Sequence, residues 1–154
     1  DPNIILVGEI RDLETAQTAI DAALTGHLVL STLHTNSALE AIPRLLSMGV
    51  SPYTFAPALR AVLAQRLVRR LAEPYKEPGA TYDPSNPETY SGRRVLPELL
   101  TVTPELRDMI LVQAEEAQLM ERAVKDGYRT MKEWGKAFVE AKDTTIEEVA
   151  RVTM

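Results

Sequence analysis

The run Ile4-Ile5-Leu6-Val7 is unbroken in its apolar character and stops at Gly8, and a second run, HLVLSTL from His27 to Leu33, follows it. Runs this short and continuous predict strands buried on both faces of a parallel sheet, because a strand with one wet face alternates. Between them Asp12 is placed to cap a helix whose apolar positions Leu13, Ala16, Ile20, Ala23 and Leu24 keep helical spacing, with Gly26 placed to stop it. The order strand, helix, strand implies a crossover with parallel strands, and such sheets present their chemistry at the strands' C-terminal ends. Here those ends are Gly8-Glu9 and Leu33-His34.

Ser37 with Glu40 reads as a capping box opening a helix to about Met48, with Pro43 shifting its start or bending it and Gly49 ending it. Ser51-Pro52 opens a further helix, which the stripe Ala56, Leu59, Leu63, Leu67 and Leu71 carries to residue 71. Its arginines, Arg60, Arg66, Arg69 and Arg70, spread round that helix. Residues 73–92 then concentrate prolines, glycines and tyrosines and mark a boundary. Beyond it, Arg93 to Leu100 reads as a short edge strand interrupted by Pro97. Helices follow from Thr103-Pro104 to about Val112 and near 115–126, 131–142 and 146–152, the last two opened by Thr130/Glu133 and Thr145/Glu148. The expected division is residues 1–72, a Pro-rich loop 73–92, and a small helical subdomain 93–154.

Seventeen basic and 22 acidic residues leave a formal charge of −5, which argues against a dedicated nucleic-acid partner, since that needs a basic footprint. The charge is uneven, with five arginines and one acid in 38–72. Arginines beside an apolar stripe serve a solvated face or subunit contacts more often than an anionic partner. There is no cysteine, which excludes thiol chemistry and a thiolate zinc site. No apolar run approaches the ~20 residues that span a bilayer, so no direct membrane insertion is expected. The abrupt start at Asp1-Pro2-Asn3, without a methionine, suggests a fragment of a longer chain.

Among the residues able to do chemistry, Glu9 closes the first strand in ILVGEIRD. A buried strand ending in an acid is how a nucleotide hydrolase holds a carboxylate against the attacking water. An apolar strand followed by glutamate also occurs without that role. Gly8 stands where a Walker B strand usually has an aspartate. His34, at the end of the second run, can donate to a phosphate oxygen or change partner when the phosphate leaves; the alternative is a hydrogen-bonded histidine beside the core. His27, at the start of that run, reads as a structural or inter-subunit contact.

Taken in order and spacing, DPNIILVGEIRDLET, HLVLSTLHTN, RLLSMG and AQRLVRRL closely resemble the secretion ATPases that power type II secretion and type IV pilus assembly. That family reads DPxxxLVGEIRDxET in its Walker B region, HLVxSTLHTN in its histidine box, then RLLxMG and AQRLVRRL. Later, GRRVLPELL is similar to GRxGIYELL and GYRTMKEWG to GMRTLxxDG. The resemblance implies the C-terminal part of an α/β, RecA-like P-loop NTPase domain followed by a small, mostly helical subdomain. It implies ATP and Mg²⁺ as cofactors of the intact protein, assembly as a homo-hexamer, and a cytoplasmic position at the inner membrane with platform and anchoring proteins as partners. It assigns Glu9 the polarising of water and His34 the γ-phosphate-sensing box, with Gly8, Arg11 and His27 as further nucleotide-site residues. Arg11 is expected as an ionic partner of the site, or in a surface pair with Asp12 or Glu14.

Two departures accompany the resemblance. Assembly-type members often carry CxxC pairs after AQRLVRRL, whereas this chain has Ala72 and Tyr75 there, so no zinc is expected and the subdomain must be held by packing or by the Pro and Tyr residues of the loop. That loss leans toward retraction-type motors, while GRRVLPELL leans toward assembly. In addition, the seven glycines never form GxxxxGK[ST], and Gly135-Lys136 is followed by alanine. The family's phosphate loop lies upstream of its Walker B strand, so negligible ATP hydrolysis is expected from this chain alone. The other readings are a non-catalytic oligomerisation or interaction module and a nucleic-acid motor.

Overall fold

The computed structural model describes residues 2–154, so Asp1, the first residue of the Walker B pattern, lies outside the described residues. Packing divides the chain into two compact units, residues 1–62 with 99–128, and residues 63–98 with 129–154.

In the first unit, β1 (Ile4–Val7) and β2 (Leu28–Ser31) pair in parallel, with Ile4 opposite Leu28 and Val7 opposite Ser31. The helix between them, α1 (Leu13–Leu24), is capped by Asp12, whose carboxylate accepts from Thr15 N–H at 2.8 Å. It ends where Gly26 takes φ +102°, a conformation nearly closed to side-chain-bearing residues. The predicted crossover is therefore present, but the strands are not buried on both faces. Ile4, Leu6, Leu28 and Leu30 share one face by register and all are exposed, Leu6 at 75%. The sheet has two strands, with α1 against β2, and these side chains stay at least half exposed.

The predicted helix at 37–48 narrows to α2 (Ala41–Ser47). Pro43 explains the shift, since a start at Ala41 puts its missing N–H in the first turn, where no intrahelical bond is required. Half of the expected box forms: Glu40 N–H donates to Ser37 Oγ, while the Glu40 carboxylate accepts from Asn36 N–H at 2.8 Å. α3 (Pro52–Ala58), α4 (Pro104–Leu111) and α5 (Glu116–Lys125) complete the unit, with α3 packed on both α1 and α4. Its buried side chains include Ile20, Leu39, Ile42, Phe55, Leu106 and Ile110.

The largest correction concerns residues 51–71. Instead of one helix, α3 ends at Ala58 and β3 (Ala61–Leu71) follows, so Arg66, Arg69 and Arg70 lie on a strand and Arg60 immediately before it. The leucine stripe misled because a spacing of four fits one helix face and one strand face equally well. In the strand, Leu63 and Leu67 are exposed while Val68 is fully buried. β3 pairs with β4 (Tyr90–Thr101), longer than the strand expected at 93–100. Bonds from Ala72 N–H to Thr89 O and from Val102 N–H to Arg60 O bracket the pair and show it antiparallel. Pro97 is tolerated because each strand of a two-stranded ribbon has a free edge.

In the second unit, α6 (Met131–Glu140) and α7 (Ile146–Thr153) pack on each other. Val68, Leu96, Met131 and Phe138 form the buried cluster, with Ala64, Trp134 and Val152 against it. Thr130 and Glu133 make the predicted capping box. Thr145 caps α7 through Glu148 N–H, but the Glu148 carboxylate does not turn back to complete a box. It receives Arg69 Nη2 at 2.5 Å, Arg69 N–H at 2.9 Å and Arg151 Nη2 at 2.8 Å. The loop between the strands is held by Lys142 Nζ, which donates to the carbonyls of Lys76 and Glu77 at 3.0 and 2.9 Å, and by the Tyr90 hydroxyl, which donates to Pro84 O at 3.4 Å and lies 3.0 Å from Thr145 Oγ1.

Candidate functional site

Two parallel strands that end at the same level bring their following segments side by side, and this is what assembles the site. Val7 lies opposite Ser31, so Gly8 and Glu9 leave the sheet next to Thr32. Thr32 then fastens the two exits: its hydroxyl donates to Gly8 O at 2.6 Å and its carbonyl accepts Ile10 N–H at 2.9 Å. Glu9 sits between these two anchors. Thr32 lies within the STLHTN stretch but was not singled out from sequence, because the apolar run carries the expected strand to Leu33, whereas β2 ends at Ser31 and leaves Thr32 just beyond it.

From the second exit, His34 reaches Glu9, with Nε2 2.7 Å from Oε1. From the first exit, Arg11 reaches the other oxygen, with Nε 2.6 Å and Nη2 2.5 Å from Oε2. The Glu9 side chain is 21% exposed, whereas those of His34 and Arg11 are 90% and 77% exposed, so a half-sheltered carboxylate carries two solvent-facing donors. The Arg11 hydrogen bond holds the Glu9 carboxyl below the usual carboxylate range, against the opposing effect of burial, and His34 acts in the same direction. Arg11 does not pair with Asp12 or Glu14; its partner is Glu9, and Asp12 is engaged in capping α1.

The other sequence-derived residues fall differently. Gly8 supplies the carbonyl that Thr32 grips, and no described atom lies within 4 Å of where a Cβ would stand, so nothing else in this chain requires glycine there. His27 stands at the opposite end of β2. Its Nδ1 lies 3.1 Å from Ala22 O and 3.3 Å from Thr25 Oγ1, at the C-terminal end of α1, away from Glu9. The structure thus joins Glu9, Arg11 and His34, and places His27 outside that group. A carboxylate with a guanidinium and an imidazole around open space suits a water molecule and an anionic, phosphate-bearing ligand. Gly135 lies inside α6, where its absent Cβ makes room for Val149, so Gly135-Lys136 has a packing role and no loop geometry.

The family of Type II/IV secretion system proteins matches residues 1–151. The type II secretion system protein HxcR of Pseudomonas aeruginosa is 48% identical over 99% of this chain and 34% of its own length. The type II secretion system ATPase E of Vibrio cholerae is 43% identical over 99% of this chain and 35% of its own. The type IV pilus assembly ATPase PilB of P. aeruginosa is 38% identical, over 99% and 31%. The chain therefore spans about a third of the length of these relatives. Among solved structures, the pilus retraction motor PilT with bound ADP superposes with a TM-score of 0.75 at 28% identity, over 99% of this chain and 40% of PilT. The Legionella pneumophila ATPase DotB gives 0.73 at 26% identity, over 98% and 38%. The α/β arrangement seen here is the fold of the C-terminal part of those ATPases.

Proposed function

The chain belongs to the type II/IV secretion system protein family, and from that premise we propose that it supplies the hydrolytic half-site of a hexameric ATPase motor that drives type II secretion or type IV pilus assembly. The observation that carries the proposal is the 2.7 Å contact between Glu9 and His34, which brings the ends of two separate motifs to one point. Bound ATP with Mg²⁺ supplies the phosphoryl group that is transferred to water. Glu9 orients that water and takes up its proton; held ionised by Arg11, it is ready to accept one at neutral pH. His34 uses the same Nε2 either on Glu9 or on a phosphate oxygen, so its partner differs before and after hydrolysis. His27 has a structural or subunit-contact role, a reading supported by its contacts with Ala22 O and Thr25 Oγ1 at the end of α1. The motor works in the cytoplasm against partners at the inner membrane. Among the described residues no helix is long and apolar enough to cross a membrane.

The test is Glu9→Gln in the full-length protein, which keeps the shape and removes the base. ATP turnover falls by about 10²- to 10⁴-fold while nucleotide still binds; wild-type turnover in this variant would overturn the role of Glu9. The present chain, which holds no phosphate-loop motif, releases no phosphate from ATP by itself. A retraction motor of the same superfamily is the second reading, favoured by the fold shared with PilT and by the absence of cysteines. If the full-length protein neither binds nor hydrolyses ATP, the segment is an oligomerisation module.

A further inference from the structure

We infer that Arg11 is a positioning residue that divides the labour of the two Glu9 oxygens, fixing Oε2 and leaving Oε1 as the oxygen that meets water. This rests on the reading of Glu9 as the base.

Both of the Arg11 bonds converge on Oε2, at 2.6 and 2.5 Å, and neither touches Oε1. Two donors of one planar guanidinium on a single oxygen fix that oxygen's position more tightly than a lone ammonium can. The backbone supports this hold on both sides. Ile10, between the two residues, has its N–H pinned to Thr32 O, and Asp12, immediately after Arg11, is fixed as the cap of α1. Arg11 therefore stands on a short span anchored at both ends, and its side chain shares that rigidity with Glu9.

Oε1 is held differently. Its partner is His34, a ring 90% exposed and carried on the segment after β2. That bond can be exchanged without disturbing the Oε2 anchor, so a water molecule or a phosphate can take over one side of the carboxylate while the other stays in place. The charged groups facing Glu9 are Arg11 from its own loop and His34 from the segment beyond β2. A nucleotide ligand role for Arg11 would require the guanidinium to leave Oε2, releasing the carboxylate at the moment when its orientation matters most.

The experiment uses the full-length protein with Arg11→Gln and Arg11→Lys, measuring kcat, KM, the affinity for a non-hydrolysable ATP analogue and the pH–rate profile. In Arg11→Gln, kcat falls about tenfold to a hundredfold from misplacement of the base. Analogue affinity stays within about twofold. The acid limb of the profile moves to higher pH, because the carboxyl loses the neighbour that keeps it ionised. Arg11→Lys, which restores the charge but only a point donor, returns the acid limb toward its original place and recovers part of kcat. A loss of analogue affinity with the acid limb unmoved makes Arg11 a nucleotide ligand and overturns the inference, as does an unchanged kcat. If Arg11→Gln fails to fold, Arg11→Lys alone decides: reduced kcat at unchanged affinity supports positioning, and reduced affinity overturns it. Failure of the parent reading is separate, since it is registered by Glu9→Gln keeping its turnover.

Discussion

Glu148 is the most deeply buried carboxylate of the second unit, 1% exposed, and everything around it is cationic or donating. Burial pushes its pKa up, but the hydrogen bonds from Arg151 and Arg69 outweigh that and bring it down to about 2. Its folded-state pKa is depressed, so the stabilisation is fully present above the unfolded value of about 4.5 and is lost as pH falls from there through about 2. Glu148→Gln should therefore cost about 1–3 kcal/mol at neutral pH, less than breaking a fully buried ion pair, because both arginines are partly exposed and can be hydrated. Thermal unfolding followed from neutral to acid pH checks it, with the gap between parent and variant closing below about pH 4. None of this was legible in the sequence. The Thr145/Glu148 spacing announced a capping box, and the real partner, Arg69, is 79 residues away. Glu9 and His34 were legible because each sits at the end of a strand whose direction followed from the crossover, so their meeting needed only parallel pairing. Arg11 was legible as a member of the site, but its choice of Glu9 over Asp12 was not, because that depends on Asp12 being taken up by Thr15 N–H.

At the scale of elements, the pairing of α6 with α7 depends on a missing side chain. A Cβ on Gly135 would stand 2.3 Å from Val149 Cγ1 and 3.0 Å from Cγ2, too close for Val149, itself buried, to yield without moving its helix. Alanine in an exposed helix interior stabilises relative to glycine by about 1 kcal/mol. Here overpacking reverses the sign, and Gly135→Ala should destabilise by about 1–3 kcal/mol, read as a lower denaturation midpoint at unchanged slope. The helices of this region were visible in the sequence because caps and spacing agree. β3 was not, because leucines four apart satisfy two periodicities and Pro52 gave the helical one a true start. The deciding feature was Val68, buried on the face opposite Leu67, which a helical wheel treats as merely the next residue.

At the scale of the whole molecule, the strands among the described residues are distributed as two sheets of two. Isolated pairs of this kind are marginal in water unless something packs on them. In the first unit the face carrying Ile4, Leu6, Leu28 and Leu30 leaves at least half of each of these side chains exposed. An apolar face of that kind favours association of this chain with a second copy. Sedimentation velocity over a concentration series should show self-association, and Leu6→Lys, which puts a charge at the most exposed of the four, should reduce it with little effect on secondary structure. The expectation of strands buried on both faces came from the apolar runs alone, and a run reports what a strand is suited to, while burial depends on which neighbours are there to cover it.

The β1–β2 pairing has only four rungs, from Ile4–Leu28 to Val7–Ser31. A slip of one residue would carry the segment bearing His34 by about 3.3 Å relative to Glu9, more than the length of the bond between them, and would turn every side chain of the slipped strand to the other face. The Glu9–His34 contact in this sense reports the alignment of the sheet: the distance that closes it belongs to the register in which Val7 faces Ser31.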